Sequence, residues 1–140
     1  MTLPVPAFNL LVGDFEGVGR WIDIVGDTKP YRVRQSIAFD GDEIRVEYIH
    51  EFHEEGTTTS GAFAFRPQNG PLFEVRLNGN PVGHGYMFGS YVHFHLRVGE
   101  IFVQTSYDVT PTGLTVNGSS TSNSQGRYVA WHEALVRPSG

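Results

Sequence analysis

The chain has 140 residues, among them 17 glycines, 2 tryptophans, 6 tyrosines, 10 phenylalanines and no cysteine, so it is about the length of one domain and excludes disulfide scaffolds and thiolate metal or redox sites. Ten basic against fifteen acidic residues leave a formal charge of -5, which opposes binding to a phosphate backbone. No apolar run approaches the roughly 20 residues of a spanning helix, and Met1–Leu10 lacks the basic and apolar regions of a signal peptide; the expectation is a cytoplasmic domain that engages neither nucleic acid nor membrane.

In chain order, Ala7–Phe15 (AFNLLVGDF) is the one segment with closely spaced apolar residues, and its glycine limits it to a short helical turn or lid. Beyond it the period is two. Tyr31, Val33, Ile37 and Phe39 alternate with Arg32, Arg34 and Ser36, with Gln35 as an interruption. Ile44, Val46, Tyr48 and Phe52 alternate with Arg45, Glu47 and Glu51, and His50 shares their apolar face. Val92, Phe94, Leu96 and Val98 alternate with His93, His95 and Arg97. Such alternation marks half-buried antiparallel strands.

About ten strands result, at roughly the 8–12-residue spacing of sandwiches and barrels. They are expected near 18–25, 31–39, 44–53, 57–66, 72–78, 81–88, 91–98, 101–109, 113–120 and 127–136. Asp40-Gly41-Asp42, Asn78-Gly79-Asn80-Pro81 and Pro111-Thr112-Gly113 supply the backbone angles that hairpin turns require. Ser119–Gln125 (SSTSNSQ) has nothing to bury and reads as a loop. The predicted fold is all-β, one antiparallel up-and-down barrel over residues 1–140, because closure removes both sheet edges. A double-sheet jelly roll is the rival.

The first strand carries a more specific pattern. Leu11, Gly13, Phe15, Gly17 and Gly19 occupy every second position before Trp21. The segment resembles the nitrobindin family, heme-binding barrels of the calycin superfamily, which also holds the fatty-acid-binding proteins and lipocalins. Phe15 stands where that family has tryptophan. Tyr31–Phe39 and Ser60–Pro67 are similar to its second and fourth strands, and Leu114–Arg137 follows the layout of its tail. The resemblance implies a heme protein acting on nitrogen oxides or peroxynitrite, with a histidine late in the last strand ligating iron. In Trp131-His132-Glu133-Ala134 the implied ligand is His132, although the natural register sets Trp131 at that position and a bulge is needed to bring His132 to it.

Three functional readings follow. The first is a barrel enclosing a small, largely apolar ligand, with Trp21, Tyr48, His50, Phe63, His93, His95 and Trp131 as pocket residues. The second is the heme protein, with His132 as ligand. The third is a metal-dependent barrel enzyme, since His93-Phe94-His95 followed by Glu100 has the spacing of the first metal motif of cupins. Wide strand faces packed sheet to sheet would give a homodimer.

Overall fold

The computed structural model describes residues 8–23, 25–122 and 127–138. A single helical turn, α1 (Phe8–Leu11), precedes ten strands: β1 (Gly13–Ile22), β2 (Thr28–Asp40), β3 (Glu43–Phe52), β4 (Thr57–Pro67), β5 (Leu72–Leu77), β6 (Asn80–Phe88), β7 (Tyr91–Val98), β8 (Ile101–Val109), β9 (Gly113–Ser122) and β10 (Arg127–Val136). Each strand pairs antiparallel with its sequence neighbours, and β1 pairs with β10, so the sheet closes into an up-and-down barrel. That closure excludes the jelly roll. Alternation sorts the side chains: Tyr31, Val33, Gln35 and Ile37 of β2 are buried inside, while Arg32, Arg34 and Ser36 face water.

Two boundaries differ from the sequence reading. β1 begins at Gly13 rather than near residue 18, because Gly13–Gly19 lies along residues 31–37 of β2. β9 runs on through Thr121 and Ser122, past its expected end at 120, so Ser119–Ser122 of the serine-rich stretch read as a loop pairs with β10, and Ser119 and Ser120 pair with β8 as well. Ladder hydrogen bonds use the backbone, so a polar serine-rich segment holds its place between two strands. The remainder of that stretch, 123–125, lies outside the described residues.

The interior has a packed end and a hollow end. Leu11, Phe15, Ile37, Ile44, Val46, Phe65, Phe73, Met87, Val92, Val109, Leu114 and Leu135 are buried. Leu11 belongs to α1, and the others lie towards strand ends that an up-and-down chain brings to one rim, beside the 41–42, 89–90 and 110–112 turns. Arg137 clasps this rim. Its guanidinium donates to Val12 O at 2.9 Å and to Leu10 O, and it sits 4.5 Å above the Phe15 ring. At the opposite end Trp21, Phe63, Leu96 and Trp131 are only partly buried, and the cavity opens there.

Candidate functional site

The cavity holds about 510 Å³ and is walled by Trp21, Phe63, Phe94, Leu96, Val103 and Trp131, with polar groups from Gln35, Tyr48, His50, Thr105, Tyr107 and Glu133. Three rings in or beside it lie against glycines of a neighbouring strand. Tyr31 lies opposite Gly19, Tyr48 opposite Gly61, and Trp131 opposite Gly118. In each pair the ring rests where a glycine Cβ would be, so any side chain there would collide with it. A glycine on one strand thus lets an aromatic on its neighbour fold flat across the sheet.

A carboxyl group sits among these rings. Glu133 is only 3 % exposed, and it shares the inward face of β10 with Trp131 and Leu135. Tyr31 Oη donates to Glu133 Oε2 at 2.7 Å. His50 Nε2 lies 3.6 Å from the same oxygen, near enough for electrostatic coupling and too far for a good hydrogen bond. Its imidazole packs between the Tyr31 and Tyr48 rings, with centroids 4.8 and 4.9 Å away. Across the cavity Gln35 Nε2 donates a long bond, 3.5 Å, to Tyr107 Oη.

Burial controls the protonation of this group. Desolvation raises the Glu133 carboxyl, and the Tyr31 hydrogen bond opposes that rise. Desolvation lowers His50 to about 4, so the imidazole is neutral at neutral pH. Tyr31, Tyr48 and Tyr107 are all pushed up, first by burial and then by the Glu133 charge. They therefore act as hydrogen-bonding phenols. The group can accept a donor and exchange a proton, while a thiol nucleophile is absent from the chain.

No family profile and no curated protein matches the chain. Several solved structures do match in shape. An S-type phycobiliprotein lyase, CPES, from Guillardia theta superposes with a TM-score of 0.77 at 12 % identity, over 95 % of this chain and 91 % of that one. Rv2717c from M. tuberculosis superposes at 0.72 and 14 % identity, over 95 % and 96 %. The likeness is one of fold alone, a closed up-and-down barrel.

Within this barrel, Trp21, Tyr48, His50, Phe63 and Trp131 meet at the cavity. His93 and His95 do not, which corrects their reading as pocket residues. The apolar file Val92, Phe94 and Leu96 takes the inside of β7, and alternation turns the two imidazoles out. His93 Nδ1 bonds Ser106 Oγ at 3.0 Å, and His95 stacks on Phe102. Glu100 is exposed in the next turn. Among the described residues no group of three or more His, Cys, Asp or Glu is gathered for a metal, so the His93, His95 and Glu100 site is corrected too.

Heme is the cofactor that the nitrobindin resemblance implies, and the residues present do not fit its attachment through His132. That side chain is exposed on the outer face, sharing a 2.8 Å hydrogen bond with Asn117 Oδ1. β10 pairs with β1 and β9 without a bulge at this point, so Trp131 keeps the inward position. The described interior imidazole is His50, whose Nε2 faces Glu133.

Tyr31, Gln35, Thr105, Tyr107 and Glu133 were missed as site residues. A signal existed for two of them. Gln35 is the one polar residue in the inward file of β2, and Glu133 sits two positions from both Trp131 and Leu135, on their face. A larger hollow of about 680 Å³ outside β1–β4 is bordered by Asp14, Glu16, Arg34, Arg45 and Glu47; these are exposed charges of both signs, and the trough is solvated surface.

Proposed function

We propose that this protein binds a small, largely apolar molecule inside the hollow end of its barrel. One observation carries the reading. A cavity of about 510 Å³ opens onto partly exposed tryptophan, phenylalanine and leucine side chains, with a few polar groups reaching it from β2, β3, β8 and β10. Pockets that enclose small molecules have this composition, an apolar lining with a small number of placed polar groups. Similarity in fold to a phycobiliprotein lyase supports the same reading, since that barrel too belongs to a protein that handles another molecule.

The chain supplies its own reporter, because both of its tryptophans, Trp21 and Trp131, line the cavity. Titration with the neutral dye Nile red is expected to saturate near one dye per chain and to change tryptophan emission. Leu96→Trp, which fills the cavity, is expected to weaken the dye by about tenfold, a loss of about 1.4 kcal/mol. Native mass spectrometry of freshly purified protein gives a second, variant-free measurement. A bound species of a few hundred daltons supports the proposal, whereas non-saturable dye binding with unchanged tryptophan emission overturns it. A stoichiometric heme or transition metal would replace it with another function.

A further inference from the structure

The polar lining of the cavity has a sign. Glu133 is the ionisable acid that lines it, and neither lysine nor arginine is among its lining residues. The groups that face Glu133 are Tyr31 from β2, Tyr48 and His50 from β3, and Tyr107 from β8. Its cross-strand neighbours on β1 and β9 are Gly19 and Val116, which carry no charge. Both described protein contacts converge on one oxygen, Oε2. Among the described residues Oε1 accepts no hydrogen bond, and it is not a sealed unsatisfied atom. Glu133, which lines the cavity with Trp21, Tyr48 and Trp131, therefore keeps an acceptor with no partner among the described residues.

We propose that the interior ligand carries a basic nitrogen, which pairs as an ammonium group with Glu133 while the apolar body lies against Trp21, Phe63 and Trp131. This deepens the binding reading above and rests on it. An ammonium supplies the donor that Oε1 lacks and the counter-charge that the pocket lacks, and aromatic faces favour a cation further. A carboxylate ligand meets the opposite environment. It would bring a second negative charge into a buried site with no protein cation, and like charges there repel strongly. The pocket thus selects amines, accepts neutral molecules of the same shape, and rejects acids.

Three matched probes test this: 4-phenylbutylamine, 4-phenylbutanol and 4-phenylbutyrate, titrated calorimetrically against the intact protein. The amine is expected to bind about tenfold or more tighter than the alcohol, and the carboxylate about tenfold or more weaker. Glu133→Gln keeps the side chain's shape and is expected to bring all three within about threefold of one another. A measurement without a variant keeps the test independent of folding. In the wild-type protein, amine affinity is expected to fall as pH is lowered and Glu133 takes up a proton, while alcohol affinity holds. Equal binding of amine and alcohol, or amine binding without pH dependence, overturns the inference and leaves the binding function standing. Failure of the alcohol and of Nile red to bind at all overturns both.

Discussion

Glu133 is where the chain departs furthest from its own pattern, an acid in a file that otherwise points tryptophan and leucine inward. Its carboxyl is raised above the ordinary value of 4.5, so the folded state holds the proton more firmly than the unfolded chain does. The stability this confers is complete below the ordinary value and is lost as pH rises through the raised one. Glu133→Gln removes the ionisation and keeps the Tyr31 contact. Urea unfolding from about pH 4 to about pH 8 is therefore expected to show the variant gaining on wild type by about 1.4 kcal/mol for each pKa unit of the rise. A constant gap between the two would contradict the burial argument. His50 works in the opposite sense. Its value is lowered from 6.5 to about 4, so its contribution is present above 6.5 and is lost as pH falls toward 4. Both proteins keep the imidazole, so His50 enters the comparison only through its contact with Glu133. Gln35 and Glu133 were visible in the sequence as polar residues on an inward face, but their partners were not. Tyr107 and Tyr31 come from strands 72 and 102 residues away.

Strands were the most legible elements, because burial of one face imposes a period of two on the sequence directly. The glycines were legible as a class and ambiguous one by one. Gly41, Gly56, Gly79 and Gly99 sit in turns with left-handed backbone, whereas Gly19, Gly61 and Gly118 sit in strands to make room for a ring. Only strand pairing separates the two uses. A double-mutant cycle on Gly61 and Tyr48 exposes the second one. Gly61→Ala alone drives a methyl into the Tyr48 ring and is expected to cost about 1–3 kcal/mol. With Tyr48→Ala already present, the same change is expected to be nearly neutral, giving a coupling of about 1 kcal/mol or more. Additive denaturation midpoints would mean that the ring does not depend on the glycine. β9 carries the complementary lesson. Ser119–Ser122 gave no hydrophobic signal, and its place in the sheet comes from neighbours on both sides.

At the scale of the barrel, closure depends on the first and last strands meeting, which sequence-local turns cannot enforce. Arg137 reinforces that seam by holding the backbone just before β1 and covering Phe15. A guanidinium can fork to two carbonyls and stack on a ring at once, and an ammonium cannot. Arg137→Ala is expected to cost about 1–3 kcal/mol, and Arg137→Lys to recover less than half of that. Hydrogen exchange should quicken first in β1 and β10; uniform exchange across all ten strands would show that the clasp has no local role. The two-ended interior belongs to this scale as well. Leu11 and Phe15 fill one rim, and the strand ends around Trp21, Leu96 and Trp131 leave the other unfilled.

The sequence by itself determined that the chain is all-β, that ten alternating strands follow one another through tight turns, and which side chains share a face. Those properties are local, since they depend on residues two positions apart and on turn chemistry. Tertiary structure alone decided which face of β7 was the inside, that His132 points out, and that one end of the barrel is hollow. It also brought Tyr31, His50 and Glu133 together on a single oxygen. Such a meeting depends on the register of β2, β3 and β10 around a closed sheet. No stretch of chain contains that register, because it is set by the pairing of strands far apart in sequence.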